Sequence, residues 1–82
     1  MAYTLCRLAP GSYDVLLDGA IVASLVRSGS DDKPIWTVEL LEDVPLERMP
    51  APFTKVEHSF RSLEEARAWL GEAEIRDVGQ MG

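Results

Sequence analysis

The spacing of apolar residues changes once along this chain, from every second position to every third or fourth, and the change predicts strands followed by a helix. Tyr3–Leu8 alternates, with Tyr3 and Leu5 on one face and Thr4, Cys6 and Leu8 on the other. In Ala9-Pro10-Gly11-Ser12, Pro fixes a negative φ at the second position and Gly accepts a positive one at the third, the order of a type II turn. Tyr13–Leu17 is then the second strand, and Asp18-Gly19 before Ala20–Arg27 is a strong short-range hairpin signal. Its register has two readings. A two-residue loop puts Tyr13, Val15, Leu17, Ala20, Val22 and Val26 on one face; a three-residue loop with Gly19 in a bulge pairs Tyr13 and Val15 with Ile21, Ala23 and Leu25. The bulged register is preferred because it leaves Asp14 and Ser24 outward. Ser28–Pro34 is polar and reads as a loop. Ile35–Leu41 alternates again, with Trp36 expected as an anchor beneath the helix. Pro45, Pro50 and Pro52 keep Glu42–Pro52 from being a central strand. Lys55–Phe60 sets Val56, His58 and Phe60 against Lys55, Glu57 and Ser59, a fifth short strand.

Ser62–Gly71 carries every local helix signal. Ser62 caps, Glu65 is expected to reach back to the Ser62 amide, Glu64 and Glu65 favour the positive end of the helix dipole, and Gly71 suits a left-handed closing residue. Leu63, Ala66, Trp69 and Leu70 form one apolar stripe. So short a helix does not persist alone in water, so the stripe must cover the strands. Beyond Gly71, Glu72–Asp77 is read as a possible continuation of the helix, with Ala73 in phase. The predicted fold is α+β: an antiparallel β-meander of four to five strands with one C-terminal α-helix packed on one face. Residues 1–78 are expected to form a single domain and 79–82 a mobile tail.

Charge alters the picture more than composition does. Residues 1–38 carry four acids and three bases, whereas residues 39–82 carry ten acids and five bases, so the net charge of −6 comes mostly from the second half. The bases are scattered, which argues against holding a phosphate backbone. Cys6 is the sole cysteine and excludes an intramolecular disulfide. With no apolar run long enough to span a bilayer and no apolar leader, a cytoplasmic location is expected.

Few residues suggest chemistry. Cys6 and His58 would form a nucleophile and base only if their strands brought them together. Asp31-Asp32 and Glu42-Asp43 are paired carboxylates without the spacing of a calcium loop, and no glycine-rich phosphate cradle is present. Trp36 and Trp69 are explained by core packing. No catalytic, cofactor-binding or metal-ligating set is therefore expected, and no cofactor. The proline-stiffened loop is different: Leu46, Met49 and Phe53 either fold back as a flap on the core or present apolar anchors to a protein partner.

The runs Tyr13-Asp-Val-Leu-Leu-Asp-Gly, Trp36-Thr-Val-Glu-Leu and Phe60-Arg-Ser-Leu-Glu-Glu-Ala-Arg-Ala-Trp-Leu resemble small uncharacterised bacterial and phage domains with a strand meander followed by such a helix. The order of elements is also similar to AP2-like and integrase N-terminal domains. That likeness implies a sheet face laid in the DNA major groove, with Arg27 and Arg7 as the candidate bases. The leading expectation is a non-enzymatic domain acting through protein contacts. The alternatives are nucleic-acid association through the sheet face opposite the helix, with Arg7, Arg27 and Lys33 clustered there, or an acidic mimic of nucleic acid.

Overall fold

In the computed structural model, which describes residues 3–77, the alternating segments pair in the order in which they occur. They are β1 (Tyr3–Ala9), β2 (Ser12–Leu17), β3 (Ala20–Gly29), β4 (Pro34–Leu40) and β5 (Glu57–Phe60), joined antiparallel. After α1 (Leu63–Trp69) the chain adds β6 (Glu74–Asp77), which lies parallel to β1. The sheet order is β5-β4-β3-β2-β1-β6, so the α1 connection carries the chain from one edge of the meander to the other.

That sixth strand corrects the expected helical continuation. The Gly71 N–H donates to Ala68 O at 3.0 Å and the Glu72 N–H to Arg67 O at 2.8 Å, the two bonds of a Schellman motif. Gly71 and Glu72 both take positive φ, 79° and 62°, and the chain leaves the helix axis there. Arg67 Nε donates to Ala73 O at 2.9 Å, pinning the exit, and Ala73 is buried. Ile75 then sits beside Leu5. The end of the domain at residue 78 and the tail 79–82 lie outside the described residues.

At the start of α1, Ser62 Oγ accepts from the Glu65 N–H at 3.1 Å as expected. The Glu65 carboxylate, however, accepts from the Arg61 amide at 3.3 Å, one residue before the one predicted. The Asp18-Gly19 hairpin combines both readings. Asp18 and Gly19 take φ of 52° and 89°, and Leu17 pairs with Ala20, so the loop has two residues as in a type I′ turn. The bulge lies further up, at Val22, between the pairs Leu16–Ile21 and Val15–Ala23. It restores Tyr13, Val15, Ala23 and Leu25 to one face and turns Ile21 to the other.

The inner face supplies Tyr3, Leu5, Tyr13, Val15, Ala23, Leu25, Val38 and Leu40 to the core. The seven residues of α1 reach only about 10 Å, whereas six strands span about 24 Å, so the helix cannot cover this face alone. The remaining cover comes from the segment between β4 and β5. Phe53 is buried there, and Val44, Met49 and Val56 pack against the same core. Trp69 joins the two covers: its ring centroid lies 4.9 Å from Phe53, 4.6 Å from His58 and 5.2 Å from Phe60. Trp36 instead leans on Tyr13 at 6.0 Å.

Candidate functional site

The strand register settles which side chains share the uncovered face. Cys6, Asp14, Ser24, Glu39 and Glu57 stand side by side on β1 to β5 and form a polar row, with Arg76 beside Cys6 at the β6 edge. Toward one end of the strands follow Ser12, Val26, Thr37 and Ser59, and beyond them Ser28 and Ile35. Toward the other end lie Leu16 and Ile21. Leu8, Val26 and Ile35 are 52%, 45% and 45% exposed. Single exposed apolar residues are ordinary, and Leu8 sits at the irregularity of β1 without a register partner, but Val26 and Ile35 lie on neighbouring strands of one face and call for a reason.

Along the polar row the charge is one-sided, whereas Lys33 and Arg61 line a cleft with Ile35 further along the strands. Arg76 Nε binds Glu74 at 2.7 Å; the other short ion pairs among the described residues, Arg67–Glu64 at 2.9 Å and Arg27–Asp31 at 3.6 Å, lie elsewhere. Asp14, Glu39 and Glu57 have no cation within ion-pair distance among the described residues. The expected basic cluster is corrected by the same register. Arg7 pairs with Tyr13 and Arg27 with Trp36, which places both on the helix-bearing face, and Lys33 lies in the loop between β3 and β4.

The loop residues expected at a partner surface divide. Phe53 is only 4% exposed and packs against Tyr3 at 6.3 Å as well as Trp69, so it is a core residue and not a surface anchor. Met49 is half-buried against the same core. Leu46, in a 3₁₀ turn at Leu46–Arg48, is 64% exposed. The Tyr3 hydroxyl donates to Ala51 O at 2.8 Å and ties the flap to β1; burial raises the pKa of that hydroxyl.

Cys6 and His58 do not meet. Cys6 is on the outer face of β1 and His58 on the inner face of β5, four strands away. His58 Nε2 accepts from the Thr54 N–H at 3.2 Å while its ring packs on Trp69 and Phe53. Burial lowers its pKa, the Lys55 charge lowers it further, and a hydrogen bond with the Lys55 backbone opposes both. Asp31, Asp32, Glu42 and Asp43 are exposed, and among the described residues no three His, Cys, Asp or Glu side chains gather as metal ligands would. A small cleft of about 230 Å³ opens between Ile21, Leu41, Val44 and Pro50; it is apolar and takes a group the size of one side chain. Among the described residues no helix is long and apolar enough to cross a membrane.

The outer patch was only partly visible in the sequence. Leu8 stood opposite Leu5 in the alternation, and Val26 and Ile35 fall in phase with Ser24, Thr37 and Glu39, so parity alone carried the signal. No protein-family model, curated protein or solved structure matches this chain.

Proposed function

We propose that this domain is a non-enzymatic protein-contact module that binds through the sheet face opposite α1. The observation that carries the reading is the exposure of Val26 and Ile35 on a face that neither the helix nor the flap covers. Burying such side chains against a partner recovers roughly 25 cal/mol per Å² of apolar surface. Their β-branched or aliphatic character suits a flat pleated contact. The half-buried, unpaired Cys6 on the same face fits a reducing, cytoplasmic setting.

The test compares affinity-tagged chains in pull-downs from a nucleic-acid-free lysate. The Val26→Thr/Ile35→Thr double variant should lose the proteins that the native chain retains, while Leu46→Thr should keep them. Both variants should unfold at the native denaturant midpoint. Equal recovery by the double variant, or loss on Leu46→Thr alone, would move the contact to another surface.

A further inference from the structure

Resting on the contact-module reading, we infer that the partner is a basic amphipathic helix laid across the strands, with Lys or Arg over Asp14, Glu39 and Glu57 and apolar residues over Val26. The three carboxylates occupy one row on β2, β4 and β5, with Ser24 between the first two. At about 4.8 Å per strand their backbone positions fall near 0, 10 and 14 Å along the row. A helix rising 1.5 Å per residue matches these marks with cations about seven and ten residues after the first. An extended segment repeats on one face every ~7 Å and misses the middle mark.

Charge decides against the alternative occupants. A second copy stacked face to face would oppose carboxylate to carboxylate, on a chain already at −6. Like charges brought together out of water cost energy that this small apolar patch does not return. A nucleic-acid backbone meets the same repulsion along the row, where the base beside it, Arg76, is already bound to Glu74, while Lys33 and Arg61 lie further off in a cleft with Ile35. A cationic helix instead gains ion pairs with carboxylates that have none among the described residues. The apolar stripe beside its cations then meets Val26, whose pair with Thr37 lies next along the strands, about 7 Å from the row. This is the helix-on-surface mode of recognition, with the row setting orientation and the patch supplying burial.

The experiment titrates the ¹⁵N-labelled full chain with two synthetic helical peptides of about 14 residues. One carries Lys and Leu at the inferred spacing; the other has Glu in place of each Lys. The Lys peptide should shift amide signals around Ser24, Val26, Thr37 and Glu39, and should weaken at about 0.3 M salt. The Asp14→Asn/Glu39→Gln/Glu57→Gln variant should bind it about tenfold more weakly. Asp43→Asn/Glu47→Gln, which removes exposed charge elsewhere, should bind it as the native chain does. Equal binding of the Glu peptide, shifts confined to the helix-bearing face, unchanged binding by the triple variant, or no shift with either peptide each overturns the basic-helix inference. The pull-down above reads the contact surface separately. If Val26→Thr/Ile35→Thr still abolishes capture there, the module reading stands with a partner of other chemistry.

Discussion

Leu25 and Val26 are consecutive residues on β3, yet Leu25 is fully buried and Val26 is nearly half exposed. The same contrast runs across the sheet. Tyr13, Val15, Leu25 and Val38 are sealed by α1 and the flap, while the opposite face carries Val26 and Ile35 near carboxylates that have no ion pair among the described residues. Strand hydrophobicity alone does not produce this difference. It follows from where the chain goes between β4 and β6: both the long loop and the helix cross one face, and no described segment crosses the other. The inner face therefore holds the stability, and the outer face leaves Val26 and Ile35 in contact with solvent.

The largest expected effect breaks the comparison at its sharpest point. Leu25→Ala empties a site with no exposure and should cost about 3 kcal/mol, a large share of the roughly 5–10 kcal/mol available to a domain of this size. Val26→Ala, one residue on, should change stability by less than about 0.5 kcal/mol. Denaturant midpoints of the two variants decide it, and similar losses would mean that the outer face is covered as well. Next is Trp69→Ala, which removes the ring joining helix and flap. With Phe53, His58 and Phe60 all in contact, its loss should cost on the order of 3 kcal/mol. Ser62→Ala loses only the cap on the Glu65 amide and should cost about 1 kcal/mol by the same titration.

The sequence was most readable where local rules act without competition. Trp36, Val38 and Leu40 alternate cleanly, Asp18-Gly19 makes its turn, and Ser62 caps its helix. It was least readable where a distant contact decides. β6 is four residues long, too short to show a period, and forms because Glu72, a non-glycine residue, accepts a left-handed conformation that aims the chain at β1. Phe53 becomes core because Tyr3 and Trp69, far apart in the chain, meet it. The bulge at Val22 turns Ile21 outward without any glycine or proline to announce it. Arg7 and Arg27 were a different kind of miss. Both are in phase with inner residues, Leu5 and Leu25, so simple parity already placed them on the covered side.

The smallest effect concerns how firmly the flap closes the inner face. His58 accepts the Thr54 N–H through Nε2, which requires that nitrogen to be unprotonated; a proton there would set donor against donor. Burial first and Lys55 second lower the His58 pKa in the folded chain from the ordinary value of 6.5. The sign follows directly. Above about pH 6.5 the ring is neutral in both states, and its contribution to stability is fully present. As pH falls below that value the unfolded chain takes up the proton first, so stability declines until the folded ring is protonated too. Because the ring is only half-buried, the decline should be modest. Denaturant midpoints between about pH 7.5 and pH 5.5 should fall for the native chain. His58→Gln, which has no titrating group, should show a shallower slope over the same range. Equal slopes would assign the decline to carboxylates, and the flap would then close over the inner face without a proton-sensitive bond.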